Sequence, residues 1–328
     1  MPEFDTNARY VITSAGVPQH ETLQQAAEWF AVLNDESATE QDRVQWVNWV
    51  SQHPQHKTAW HFVEKVGQRF QVAQQAGQGD VSKTLNAART DRMTRRRMLQ
   101  GTGALCVLGL LSWRFTTVWR ADYHTAIGEI QKVALQDGGQ VWLNTASGIN
   151  VQYQFDVRQI TLVAGEVLIQ TAADPQQRPF LIKTLQGRMR ALGTRFTVRQ
   201  QDTDTFLAVY EGAVEISTVE GKVKIIQAGQ QTTFTEHNIQ LATDADRARE
   251  VWVQGLIIAN NISLLEFSTE VNRYRYGHLS VDPAIEGLRV MGTYPVNQID
   301  HVLTMLEKAL PVKVRRILPW WVTLEESE

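Results

Sequence analysis

Residues 133–143 read VALQDGGQVWL: two short apolar runs, 133–135 and 141–143, on either side of the turn Gln136-Asp137-Gly138-Gly139. Alternating apolar residues bounded by turn formers are the signature of half-buried strands, whose side chains point to opposite faces in succession. The same grammar continues over 149–155, 160–163, 167–169, 180–184, 188–192, 196–199, 206–210, 214–217 and 223–226. About a dozen short strands at this spacing predict an all-β sandwich or roll, here bounded at 121–242. No Gly-rich loop opens a helix in this region, and no paired carboxylates or Ser/His/Asp set stands out. The β region therefore carries no sign of turnover chemistry on a small substrate.

On the N-terminal side lies MLQGTGALCVLGLLSW, residues 98–113, sixteen residues without a formal charge directly after Arg95, Arg96 and Arg97. At 1.5 Å per residue it spans about 24 Å, so it crosses a core of roughly 30 Å only if 115–119 enter and Arg114 snorkels. No polar stripe interrupts it, and Trp113 and Trp119 stand at one end like an interfacial belt. A single transmembrane helix within 93–120 is the expectation. Arg89, Arg92, Arg95, Arg96 and Arg97 precede it against one nearby acid, Asp91, which places the N-terminus in the cytoplasm and the C-terminus outside the inner membrane. Two readings of Arg95 and Arg96 are open: a twin-arginine export signal, which serves domains exported already folded, or a plain charge anchor.

Further back, residues 22–71 carry apolar side chains at three- and four-residue spacings: Leu23, Ala26, Ala27, Phe30; Val44, Val47, Val50; Ala59, Phe62, Val63, Val66. Three helices fit, with Thr39 capping the second through Asp42 and His53-Pro54 separating it from the third. The expected helical domain is 1–70, and the Gln-, Ala- and Gly-rich stretch 71–92 a linker. Trp29, Trp46, Trp49 and Trp60 crowd this small unit. Such residues are either core or the aromatic anchors of a docking surface. His53, His56 and His61 have no matching acid or thiol, so no metal site is expected.

C-terminal to the strands, after the charged hinge 243–250, residues 250–328 read β-α-β-β-α-β. Ser263 with Glu266 opens the first helix and Asn297 with Asp300 the second. A small α+β module with one open sheet is expected, and its edges could accept a partner's strand.

The chain has 328 residues, 43% apolar and 20% charged, enough for several cores. A net charge of −3, with basic and acidic groups balanced over 1–97, removes the electrostatic footing of direct nucleic-acid binding. The lone Cys106 excludes an internal disulfide framework and any multi-thiolate zinc site.

Three segments resemble one family, the FecR-type transmembrane sigma regulators. Ala26-Ala27-Glu28-Trp29, Trp46 to Trp49 and Pro54-x-His56-x-x-Ala59 are similar to its N-terminal helical domain. Leu135-Gln136-Asp137-Gly138, Arg158, Leu162 with Gly165-Glu166, Arg178-Pro179-Phe180, Leu192-Gly193-Thr194-Arg195-Phe196, Glu211-Gly212 and Ala228-Gly229-Gln230 resemble its middle domain. Trp252-x-x-Gly255 and Asn272-Arg273-Tyr274 resemble the short signalling fold (STN-like) of secretins and TonB-dependent receptors. The resemblance implies a relay rather than an enzyme, with no cofactor. Its cytoplasmic partner is an extracytoplasmic-function sigma factor, and its periplasmic partner is the signalling domain of a TonB-dependent outer-membrane receptor that loads an iron chelate. It leaves open whether the chain inhibits, activates or does both. The competing class is a membrane-tethered periplasmic enzyme or wall-binding module.

The resemblance also implies self-cleavage in some members at the bond corresponding to Gly193-Thr194. A threonine hydroxyl attacking the preceding carbonyl converts the amide to an ester that water opens, provided the turn is strained and the oxyanion is stabilised. The plain alternative is a glycine bulge between two strands.

Overall fold

The computed structural model describes residues 18–35, 37–77, 118 and 120–327. They fall into two compact units. One joins the N-terminal helices to residues 276–286 and 311–328; the other holds the β region up to Arg275 together with 287–310. Among the described residues no helix is long and apolar enough to cross a membrane. Residues 98–113, with Arg95 and Arg96, lie outside the described residues.

The larger unit is built on strands β1 (Tyr123–His124), β2 (Gln131–Ala134), β3 (Gln140–Leu143), β4 (Gly148–Tyr153), β5 (Arg158–Gln170), β6 (Phe180–Lys183), β7 (Gly187–Ala191), β8 (Arg195–Gln200), β9 (Thr205–Glu211), β10 (Ala213–Thr218), β11 (Val223–Gln227), β12 (Gln230–Phe234) and β13 (Thr243–Asp244). Their order is β11-β10-β7-β6-β5-β8-β9-β12-β13, with β3 and β4 also pairing β5. The expected all-β roll is thus present, with one difference: 160–163 and 167–169 are a single strand, β5. Its first part pairs β4 and, in parallel, β6, while its second part pairs β3 and β8. Gly165 bends it between the two, at φ +86°, where a Cβ would lie 2.2 Å from the Ser147 hydroxyl oxygen. Glycine there turns the ladder without breaking it. Inward residues such as Leu143, Ile160, Val167, Phe196, Val198, Leu207, Val209 and Phe234 form one core.

Beyond β13 a 3-10 helix (Arg247–Gln254) leads to β14 (Leu256–Ser263), α4 (Leu264–Asn272), β15 (His278–Val281), β16 (Arg289–Pro295), α5 (Ile299–Ala309), β17 (Val312–Leu318) and β18 (Trp321–Glu326). The expected element order holds, but the strands form two sheets rather than one open sheet: β14 pairs β16 alone, and β15-β18-β17 is separate. The Ser263–Glu266 capping box that opens α4 is formed. That expected of Asn297 and Asp300 is not, because the N-cap of α5 is Gln298, one residue later, and its side chain makes no cap bond.

In the smaller unit α1 (His20–Asn34), α2 (Glu40–Gln52) and α3 (Pro54–Gly77) are the expected three helices, with the Thr39–Asp42 capping box present and α3 continuing into the start of the expected linker. Leu23, Ala26, Ala27, Ala59, Val63 and Val66 share one cluster with Trp320 and Trp321 of the C-terminal sheet.

Candidate functional sites

The Gly193-Thr194 peptide bond sits at the corner where the chain enters β8. Gly193 has φ +75°, a left-handed conformation costly to any side chain, and Gly212 (φ +73°) backs directly onto it. A Cβ on Gly212 would lie 2.2 Å from the Gly193 carbonyl oxygen. The Thr194 amide donates to the Thr171 hydroxyl at 2.9 Å, and the Thr171 amide donates to the Thr194 carbonyl at 3.0 Å, so the bond is held from the downstream side. The Thr194 side chain is 4% exposed and its hydroxyl has no hydrogen-bond partner among the described residues. A buried, uncommitted nucleophile beside a left-handed glycine is half of what amide-to-ester chemistry asks for. The other half, a donor to the Gly193 carbonyl, is not found among the described hydrogen bonds.

Several motif residues of the β region converge elsewhere. Arg158 is buried, pairs with Asp137 at 2.6 Å, donates to the Arg178 carbonyl at 2.9 Å and lies over the Phe180 ring. Arg178 in turn holds Asp174 at 2.9 Å, and this hydrogen bond holds the Asp174 carboxyl down at about 2. These groups tie the 136–139 turn to the 171–179 loop. Their acids are paired with arginines, which is architecture rather than acid–base catalysis. An open polar hollow of about 440 Å³ beside them is lined by Gln136, Tyr153, Gln154 and Phe155, among others.

In the helical domain the tryptophans serve largely as its seams. Trp46 packs on Trp60 at 4.8 Å between ring centres, and Trp60 on Phe30 at 5.8 Å, joining all three helices. Trp49 stacks on His56 at 4.5 Å and its indole donates to Gln25 at 3.0 Å. Trp29, like these three, is half-buried. His53 accepts from the Gln55 amide, His56 meets the Trp49 carbonyl and His61 faces Glu64, so each ring has a local use. Val44 and Val47, two of the apolar positions whose spacing predicts α2, are not core: each is 54% exposed, one turn apart on a helix with no buried residue. Their i, i+3 spacing marks a shared helix face but does not say whether that face is covered.

A second face of the same domain is made of small residues. Ala26, Ala27, Ala59 and Gly67 admit two indoles: Phe30 meets Trp320 edge-on at 5.5 Å, Phe62 meets Trp321 at 6.1 Å, and a Cβ on Gly67 would lie 2.9 Å from the Trp320 ring. Glu28 pairs with Arg315 at 3.0 Å at its rim.

Sequence reading also missed an ionic cluster that brings two motifs together. Glu166, which follows the β5 bend, is met at 2.6 Å by Arg273 from just beyond α4. Arg273 also pairs with Glu270 on its own helix, and Glu270 with Arg199 of β8 at 3.1 Å. Asn144 donates to Glu166 at 2.9 Å, and the Thr145 hydroxyl donates to the Arg273 carbonyl at 2.9 Å.

Residues 121–215 match the FecR protein family, and residues 24–66 match a domain of unknown function, DUF4880. No curated protein matches the chain. Two crystal structures of a candidate anti-sigma factor from Parabacteroides distasonis, at 1.65 Å and 2.50 Å, share its fold with a TM-score of 0.52 at 22% identity. They cover 63% of this chain and 99% and 98% of their own. The β domain with its bent β5 thus carries the match to the FecR family, behind a helical domain that carries a match of its own.

Proposed function

We propose that the chain is a sigma-factor regulator of the inner membrane, whose helical domain holds an extracytoplasmic-function sigma factor in the cytoplasm. In this reading its external domains answer to a TonB-dependent outer-membrane receptor loading an iron chelate. The observation that carries it is the order of the two matched domains, helical 24–66 then β 121–215, in a chain that shares its fold with a candidate anti-sigma factor. Co-purification of the full chain with the sigma factor, and loss of the ligand response of a reporter promoter when the chain is deleted, test it. A chain that retains no sigma factor and leaves the promoter unchanged overturns it.

Residues 98–113 are the proposed single span, with Arg95 and Arg96 on its cytoplasmic side. In an inserted chain the Ala26–Ala27–Ala59 face and the Trp320–Trp321 sheet lie on opposite sides of the bilayer. Their contact then belongs to the uninserted chain, and each apolar face needs another occupant after insertion. The sigma factor fits the first, helped by Trp29, Trp46, Trp49 and Trp60, and the receptor's signalling domain fits the second. Self-cleavage at Gly193-Thr194 is part of the same proposal, supported by the left-handed glycine and the uncommitted threonine hydroxyl.

A further inference from the structure

One face of the β5-β8-β9 ladder packs on the core; the other is covered rather than solvated. Leu168, Phe206, Ala208 and Tyr210 are buried there beneath Trp252 of the 3-10 helix. Around this apolar patch stand two arginines on the same face of β8, and both are spent on acids that follow the β domain in the chain. Arg195 pairs with Glu250 at 2.9 Å, and Arg199 with Glu270 at 3.1 Å.

Arg273 runs the other way. It reaches past its own helix to Glu166 on β5, which is 5% exposed and also held by Asn144. Its carbonyl is anchored by Thr145, whose own oxygen accepts from the Gly128 amide at 2.8 Å. Burial opposes the Arg273 charge, and Glu270 and Glu166 more than offset it, so the guanidinium stays protonated. Burial likewise works against the Glu270 carboxylate, yet Arg273 and Arg199 hold it down at about 2. Arg273 and Glu270 are therefore both held in their charged forms, and each has an opposite neighbour.

The arrangement divides at β8. Arg195–Glu250 and Arg199–Glu270 join groups that all lie after Thr194. Arg273–Glu166 and Thr145–Arg273 join groups on either side of it. We propose that Arg273 is a latch that fastens α4, with β14 and β16, to β5 and the turn after β3 of the β domain, and that a partner acting on the C-terminal region signals by opening it. The fastening stands on geometry alone; its use in signalling rests on the regulator reading above.

A buried ion pair is a suitable latch because its strength depends on both members. Removing one leaves the other charge buried without compensation, whereas an intact pair adds little beyond neutral packing. Hydrogen exchange on the detergent-solubilised full chain tests it with Glu166→Gln, Arg273→Gln and the double variant. Each single variant is expected to speed exchange of the α4 amides roughly tenfold while those of β3 and β12 keep the parental rate. The double variant is expected to add nothing beyond Arg273→Gln alone, since that change already removes the pair with Glu166 along with the pair with Glu270. Unchanged α4 exchange, single effects that multiply, or a rise spread evenly over the whole β domain overturns the latch. If Arg273→Gln does not fold, the isosteric Glu166→Gln decides alone. In a reporter strain Glu166→Gln is expected to give ligand-independent output. Loosened α4 amides with a parental reporter response overturn the signalling role and leave the fastening standing.

Discussion

Gly193 and Gly212 share the same left-handed backbone, and alanine at the two positions should nevertheless behave very differently. At Gly193, φ +75°, a Cβ would meet nothing within 4 Å, so the cost is that of the dihedral alone, about 1–2 kcal/mol. At Gly212, φ +73°, the same dihedral cost applies, and the new methyl also stands 2.2 Å from the Gly193 carbonyl oxygen and 2.9 Å from the Thr194 methyl. To reach ordinary van der Waals contact that carbonyl would retreat by about 1 Å, which its neighbours resist. The Thr194 amide is bonded to Thr171 and the Leu192 amide to the Ala213 carbonyl, so both ends of the segment are tied. Displacing it loosens at least one of these bonds, each about 1 kcal/mol, beside the overpacking itself at about 1–3 kcal/mol. Gly212→Ala should therefore cost about 3–6 kcal/mol in all. Urea denaturation followed by near-ultraviolet dichroism reads both variants, with Gly193→Ala lowering the midpoint modestly and Gly212→Ala removing most of the native transition. Equal midpoints for the two would refute the packing at this corner.

Thr194→Ala is expected to run as one chain on denaturing gels where the parent gives two fragments with a new N-terminus at Thr194, and Thr194→Ser, which keeps a hydroxyl, to give two; a parent that stays whole removes the cleavage proposal. Asp at both Val44 and Val47, which are exposed, should leave helical dichroism within error of the parent and weaken sigma-factor retention at least tenfold, about 1.4 kcal/mol or more. Gly67→Ala discriminates the uninserted from the inserted chain. Where Trp320 is absent the substitution stabilises α3 by up to about 1 kcal/mol, the expected result in membranes, and where Trp320 packs there it destabilises. Asp174 titrates at about 2 in the folded β domain, below its unfolded value, so the stability it lends is complete above about pH 4 and is lost as the pH falls toward 2. Asp174→Asn should flatten that part of an acid-unfolding curve.

The β strands were legible because alternation is local: Val133 and Leu135, or Val214 and Ile216, announce a buried face without knowledge of the partner strand. The two capping boxes that form, Thr39–Asp42 and Ser263–Glu266, are equally local, three residues apart. What could not be read depends on distant pairing. The division of 250–328 into two sheets is decided by β14 finding β16 and by β15 lying parallel to β18, and no single segment records either choice. The cover over the ladder left one readable trace. β9, TFLAVY before its final Glu, is apolar almost without alternation, which is the pattern of a strand buried on both faces. Glu166 and Arg273 each stood in a motif, but nothing in either motif points to the other.

Cleavage at Thr194, if the chain performs it, would not by itself release anything. The two pieces would still share the β5–β8 ladder from Gly165↔Gln200 to Gln170↔Arg195 and the β7–β10 ladder from Ala191↔Val214 to Gly187↔Thr218, with the core between them. Separating strands so extensively paired is slow without load, because the ladders and the packing beneath them open together. A pull applied through the C-terminal region reaches β8 by Glu250 on Arg195 and Glu270 on Arg199, and both arginines lie on the piece that would leave. It reaches the piece that would stay through Arg273 on Glu166. On the proposal, the latch would set the order of events: while it is closed part of the load passes to β5, and once it opens the load falls on the strands after Thr194 and on the ladders that hold them.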